Sequence, residues 1–222
     1  MINFYDQLPK NLKTKKLFNK ETGMNIPFRL LLLGSSGSGK TNTLLNIIKL
    51  HSGIYHKIVL CTKQIDEPLY KYLISKAGDQ VEIVENLQSL QPPEFYASPY
   101  KDQVLVIFDD MCLEKDKLQD RISEFWIRGR KLFISCAYLS QSFAKTPITI
   151  RRNCNYMIVK KLANNRDIVT ILKDYSLGNI NSTDFINLYK EATKDYLDFL
   201  LIDIDAPNDK KFRKGFNEIL EL

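Results

Sequence analysis

The stretch Gly34-Ser35-Ser36-Gly37-Ser38-Gly39-Lys40-Thr41 constrains this chain more than any other. It follows directly on the apolar run 28–33, and apolar residues at helical spacing follow it (Leu44, Leu45, Ile47, Ile48). A short apolar run that ends in glycine reads as a fully buried strand. The unit is therefore strand, glycine turn, helix. The glycines let the backbone curl so that its N–H groups converge, and the helix start adds the positive end of a dipole. Both favour phosphate oxygens. The spacing is GxxxxGK[ST], in which Lys40 reaches β- and γ-phosphates and the Thr41 hydroxyl ligates Mg²⁺. Gly34 to Thr41 and the adjoining Asn42 are the candidate nucleotide contacts.

The remaining pattern alternates. Apolar runs at 57–61, 81–84, 104–108, 132–138, 156–159 and 199–202 read as strands. Helical spacing at 41–50, 67–77, 115–128, 166–175 and 182–194 falls among them. Such alternation implies an α/β fold, with a mainly parallel sheet and helices on both faces in three layers. A length of 222 residues fits one domain. We expect a core at 27–206, a basic N-terminal arm at 1–26 (Lys10, Lys13, Lys15, Lys16, Lys20) and a basic tail or helix at 207–222. The segment 86–103, with Pro92, Pro93 and Pro99, reads as a surface connection.

Composition excludes some classes. Apolar residues at 44% and charged residues at 26% are incompatible with a wholly disordered chain. No apolar run approaches the ~20 residues of a membrane span, and the start MINFYDQ resembles no secretory signal. Cys61, Cys112, Cys136 and Cys154 form no CxxC and suit thiols in a reducing, cytoplasmic compartment. With His51 and His56 as the only histidines, a histidine metal centre is not expected. The net charge of +6 permits a polyanion partner without establishing one.

The run 104–108 ends in Asp109-Asp110. Beside a phosphate loop, Asp109 can hold Mg²⁺ and Asp110 can polarise a water as general base. Read alone, these residues place the loop and Asp109 side by side on adjacent strands. Gln141, closing the next strand, can bond both the γ-phosphate and the water, or merely the backbone of its own loop. Arg128 and Arg130 before that strand, and Arg151 and Arg152 after it, could neutralise transition-state charge, hold DNA phosphates or face solvent. The tail Lys210-Lys211-Phe212-Arg213-Lys214 could touch DNA or be a solvated helix end.

With these blocks in place, the sequence resembles the FtsK–HerA superfamily of P-loop ATPases (RecA/ASCE-like). Within it the chain is similar to the poxvirus-type DNA-packaging ATPases of large DNA viruses and virophages. The resemblance rests on GSSGSGKTN at 34–42, VLVIFDDM at 104–111, IRGRKLFISCAYLSQSF at 127–143 and PITIRRNCN at 147–155. The segment 60–69 is similar to the family's second strand and turn. The resemblance implies a strand inserted between the loop strand and the acidic strand. It implies ATP and Mg²⁺ as cofactors, and a homo-oligomeric ring, pentamer or hexamer, that threads double-stranded DNA into a capsid in an infected cell. Lys40 and Thr41 would take phosphate and Mg²⁺, Asp109 the metal, Asp110 the base role and Gln141 the sensor role. Arg128 and Arg130 match a basic pair able to act in trans. Lys131 stands where the family usually shows histidine.

Two other classes stay open on the residues alone. A small-molecule kinase would use the same loop with an acceptor pocket and a lid. A nucleotide switch would bind without turnover.

Overall fold

The protein is described by a computed structural model covering residues 2–9, 17–175, 177–178 and 180–221. Lys10, Lys13, Lys15 and Lys16 of the expected arm lie outside the described residues.

Nine strands form one sheet among the described residues. In chain order they are β3 (Arg29–Leu33), β4 (Tyr55–Cys61), β5 (Val81–Val84), β6 (Gln103–Asp109), β7 (Ile134–Ser140), β8 (Tyr156–Val159), β9 (Leu200–Asp203), β10 (Phe212–Lys214) and β11 (Glu218–Ile219). Across the sheet the order is β11-β10-β9-β8-β3-β7-β6-β4-β5. The six strands from β8 to β5 run parallel, and β9 to β11 are antiparallel additions. A separate hairpin joins β1 (Leu17–Asn19) to β2 (Met24–Ile26).

The central strands are apolar on both faces, and their side chains divide by parity. Leu31, Leu33, Val104, Val106 and Phe108 enter one core. Their alternates Leu30, Leu32, Leu105 and Ile107 enter the other. Helices α4 (Asp116–Arg128), α5 (Ile148–Asn153), α6 (Arg166–Asp174) and α7 (Ser182–Ala192) cover the first face. Helices α1 (Lys40–Leu50) and α2 (Pro68–Ala77), with the hairpin, cover the second. The sandwich is thus three-layered α/β, as expected for strands buried on both sides.

Four expectations change. Residues 17–26 are not an arm: Met24 and Ile26 are wholly buried in the second core. The tail is neither a helix end nor a free basic patch. Its residues 212–214 are β10, Lys211 donates to Ile204 O at 2.8 Å, and Arg213 is 8% exposed. The Arg213 guanidinium bonds the carbonyls of Thr22 and Phe216 (3.2 and 2.9 Å) and of Gly23 (3.3 Å). The proline-bearing segment 86–103 is partly core: Leu87, Leu90 and Tyr96 are buried, the last in the short helix α3 (Pro93–Tyr96). Finally, the loop strand β3 and the acidic strand β6 are not adjacent, because β7 lies between them.

Candidate active site

The carboxyl ends of β8, β3, β7 and β6 meet at one edge of the sheet. The turn at 34–39 leaves β3 there. Its base is fastened on both sides: Gly34 N–H donates to Ser140 O of β7 (3.1 Å), and Ser35 N–H to Lys161 O (3.0 Å). Gly34 is a contact glycine, since a Cβ there would lie 2.4 Å from Ser38 Oγ and 3.0 Å from Lys160 Cβ. Gly37 and Gly39 hold left-handed backbone (φ 72° and 86°). The backbone N–H groups of Ser36, Gly37, Gly39, Lys40, Thr41 and Asn42 donate to no acceptor among the described residues. They are the orphan donors of a turn and a helix start. Ser38 Oγ is buried without a hydrogen-bond partner. Lys40 Nζ donates back to Gly34 O and Ser35 O (2.9 and 3.2 Å). Burial lowers its pKa, and the carboxylates of Asp110 and Asp109 act the other way.

Convergent amides, a lysine and an unsatisfied buried hydroxyl fit an anion with many acceptor oxygens, which a polyphosphate is.

Asp109 ends β6 and Asp110 follows it in left-handed backbone (φ 56°, ψ 35°). That conformation is uncommon for a non-glycine residue and recurs where a side chain is aimed for function. Asp110 Oδ2 accepts a 2.7 Å hydrogen bond from Gln141 Nε2. Gln141 lies just past the end of β7. The inserted strand therefore delivers the amide to the base candidate. Asp109 Oδ2 accepts from the Tyr70 hydroxyl at 2.7 Å. Burial raises the Asp109 pKa and neighbouring Asp110 adds to this, while the Tyr70 bond and Lys40 oppose it. Tyr70 is fully buried in α2 and holds the acid that ends β6. Sequence reading missed Tyr70, because a tyrosine in an apolar helix carries no motif.

Thr41 and Asp109 are hard oxygen donors on facing elements, which suits Mg²⁺. That ion is typically held by one or two protein oxygens plus substrate phosphates rather than by an all-protein cage.

The structure gathers Gly34 to Asn42, Asp109, Asp110 and Gln141. It does not bring Arg128 and Arg130 to them. Both precede β7, at the amino edge of the sheet, and Gly129 between them lies against Ile134, the first residue of β7. Arg128 pairs with Glu94 at 2.7 Å and with Glu124. Arg130 is exposed. Arg151 pairs with Asp174 and lies 4.7 Å above the Phe143 ring.

Known proteins resemble this chain in sequence and in fold. The chain is 29% identical over 157 residues to the DNA packaging protein OPG160 of vaccinia virus (strain Copenhagen), covering 66% of this chain and 57% of that protein. It spans little more than half the length of the curated relatives it matches. In fold it matches the genome packaging NTPase B204 of Sulfolobus turreted icosahedral virus 2, solved in complex with ATP-γS. That match has a TM-score of 0.61 at 16% identity, over 89% of this chain and 100% of that chain. ATPases 2 and 3 of EssC from Geobacillus thermodenitrificans share the fold with a TM-score of 0.58 at 9% identity, over 87% of this chain and 40% of theirs. Residues 15–205 match the model of the poxvirus A32 protein, and the chain belongs to that family.

Proposed function

We propose that this chain is an ATP-hydrolysing motor that moves double-stranded DNA during the packaging of a viral genome. The observation that carries the reading is the hydrogen-bonded row Gln141–Asp110 and Asp109–Tyr70 beside a turn of unsatisfied amides. The names of the relatives, a DNA packaging protein and a genome packaging NTPase, support the DNA and capsid part.

The chemistry follows from the side chains. The loop amides and Ser38 Oγ take the phosphate oxygens of ATP. Lys40 exchanges its two carbonyl partners for the β- and γ-phosphates. Thr41 and Asp109 would hold Mg²⁺, which when bound offsets phosphate charge. Asp110 accepts the proton of a water aligned by the Gln141 amide. The water oxygen bonds to the γ-phosphorus as the bond to the β,γ-bridging oxygen breaks. An inorganic phosphate and ADP leave.

Arg128 and Arg130 stand a strand's length from this chemistry, so a cation from them reaches a γ-phosphate only from a neighbouring subunit. Of the two, Arg130 forms no ion pair among the described residues and is the better finger. A closed ring supplies such neighbours. No helix among the described residues is long and apolar enough to cross a membrane. Action in the infected cell's viral factory, with or without a place in the virion, is part of the same proposal.

Phosphate release with and without double-stranded DNA tests the reading. Release stimulated by DNA is expected, with turnover lost in Lys40→Ala. In Asp110→Asn, ATP-γS binding should survive while release falls by at least about 10²-fold, the scale of a lost general base. DNA-independent binding with no release would make the protein a switch. Phosphate appearing on a nucleoside would make it a kinase.

A further inference from the structure

The reacting end of the site lies on β6 and β7, which carry Asp109, Asp110 and Gln141. The terminal phosphate belongs there. With the order β8-β3-β7-β6, the nucleoside then leaves on the other side of the loop, over the end of β8.

A small turn occupies that side. Asp198 N–H donates to Asp195 O (3.2 Å), and Asp195 N–H to Asp198 Oδ2 (3.4 Å). Asp198 also pairs with Lys214 of β10 at 3.2 Å. The turn is closed and tied to the sheet, yet it exposes two large apolar side chains, Tyr196 at 68% and Leu197 at 62%.

Lys160 fixes the turn against the phosphate loop. It follows the last residue of β8, is 1% exposed, and donates from Nζ to Leu197 O at 3.2 Å. Its stem fills the space beside Gly34, and its ammonium lies 3.6 Å from where a Cβ of Gly39 would stand. From that same position the Tyr196 ring carbon Cζ is 3.7 Å away. An exposed aromatic ring thus stands beside Gly39, at contact distance from where a Cβ of that residue would be, on a turn tied to β8 and β10.

We propose that Tyr196, presented by the turn at 195–198, is the stacking platform for the purine base of the nucleoside triphosphate bound at the loop. This rests on the nucleotide-hydrolysing reading above. Stacking on a phenol ring uses the π-face that every base offers, and its strength grows with ring area. The platform therefore favours purine over pyrimidine nucleotides without reading their edges.

Calorimetric titration of the full chain separates the possibilities. ATP-γS with Mg²⁺ is one probe, and inorganic tripolyphosphate, which has no base, is the other. Tyr196→Ala should weaken ATP-γS about tenfold and leave tripolyphosphate unchanged, and Tyr196→Trp should restore binding. Tyr196 is largely exposed, so the variant is expected to fold; thermal unfolding checks this. ATP-γS affinity in Tyr196→Ala within about twofold of wild type overturns the platform, as does an equal loss for both probes. Lys40→Ala should weaken both probes, which reports on the loop alone. If the wild type binds neither probe, the nucleotide reading fails and takes the platform with it.

Discussion

Two glycine turns lie close together in this chain, and each faces a buried cation, yet they serve opposite ends. At Gly23 (φ 61°) the Arg213 guanidinium fills the space a side chain would need, with Nη1 2.1 Å from the Cβ position. Three carbonyls there, of Thr22, Gly23 and Phe216, are satisfied by that one side chain. At Gly37 and Gly39 the backbone is equally left-handed, but the amides find no acceptor among the described residues, and nothing lies within 4 Å of a Cβ at Gly37. The difference separates a filled turn from an open one. In the first turn the carbonyls of Thr22, Gly23 and Phe216 find their donor within the chain; in the second the fold holds donors in reserve.

The largest expected effect breaks the first turn. Arg213→Met leaves three carbonyls short of a partner and Asp203, 3.6 Å away, without its cation. Each uncompensated buried polar group costs about 1–3 kcal/mol, so a loss of about 3–5 kcal/mol is expected, the range for removing one member of a buried pair. Gly23→Ala should act in the same direction through the clash. Urea unfolding measures both. In either variant ATP-γS should still raise the Tm, because the loop is intact and a ligand of the native state stabilises by mass action. A wild-type unfolding midpoint in Arg213→Met would show that the two turns do not differ as described.

These turns also mark what the sequence discloses. The loop was legible because its chemistry demands residue types at fixed spacing, and Asp109-Asp110 because an apolar run ended in acid. The parallel strands were legible from runs buried on both faces. The strand β10 was not, since Lys211, Phe212, Arg213 and Lys214 read as a DNA-contacting tail or a solvated helix end. Its buried charges are met chiefly by backbone carbonyls (Ile204, Thr22, Gly23, Phe216), which leave no mark in the sequence, and the acidic partners Asp203 and Asp198 stand apart from the run in the chain. The hairpin at 17–26 was hidden for a related reason: Met24 and Ile26 are a short alternation whose value depends on a surface formed by distant strands. Tyr70 and Tyr196 belong to the same class. Their roles come from what the fold sets beside them, Asp109 in one case and Gly39 in the other.

A smaller effect links the two regions through α1, whose first turn carries Lys40 and whose end carries His51. The His51 ring is 1% exposed, with Nε2 2.9 Å from Thr22 Oγ1 and Nδ1 2.9 Å from the Tyr55 hydroxyl. Burial pushes its pKa down to about 4, against about 6.5 in an unfolded chain. The folded state therefore prefers the neutral ring. Its stabilising contribution is complete above about pH 6.5 and is lost as the pH falls toward 4. A loss of about 1–2 kcal/mol between pH 7 and pH 5 is expected, discounted for water reaching a site near the surface. His51→Gln should flatten the Tm-against-pH profile over that window. An unchanged slope would remove His51 as its source.

The smallest effect on stability should come from the open turn itself. Gly37→Ala meets no atom within 4 Å, so the only cost is the left-handed backbone at φ 72°. That conformation disfavours a side chain by about 1–2 kcal/mol, and the lower unfolded-state entropy of alanine offsets part of it. A net loss of about 1 kcal/mol follows, several times less than for Gly23→Ala at nearly the same φ. The pair of variants isolates the clash from the backbone, since both carry the same dihedral penalty and only one carries a steric one. Equal losses in urea unfolding would mean that Arg213 swings aside at little cost, and that the contrast between a filled turn and an open one lies in the backbone alone.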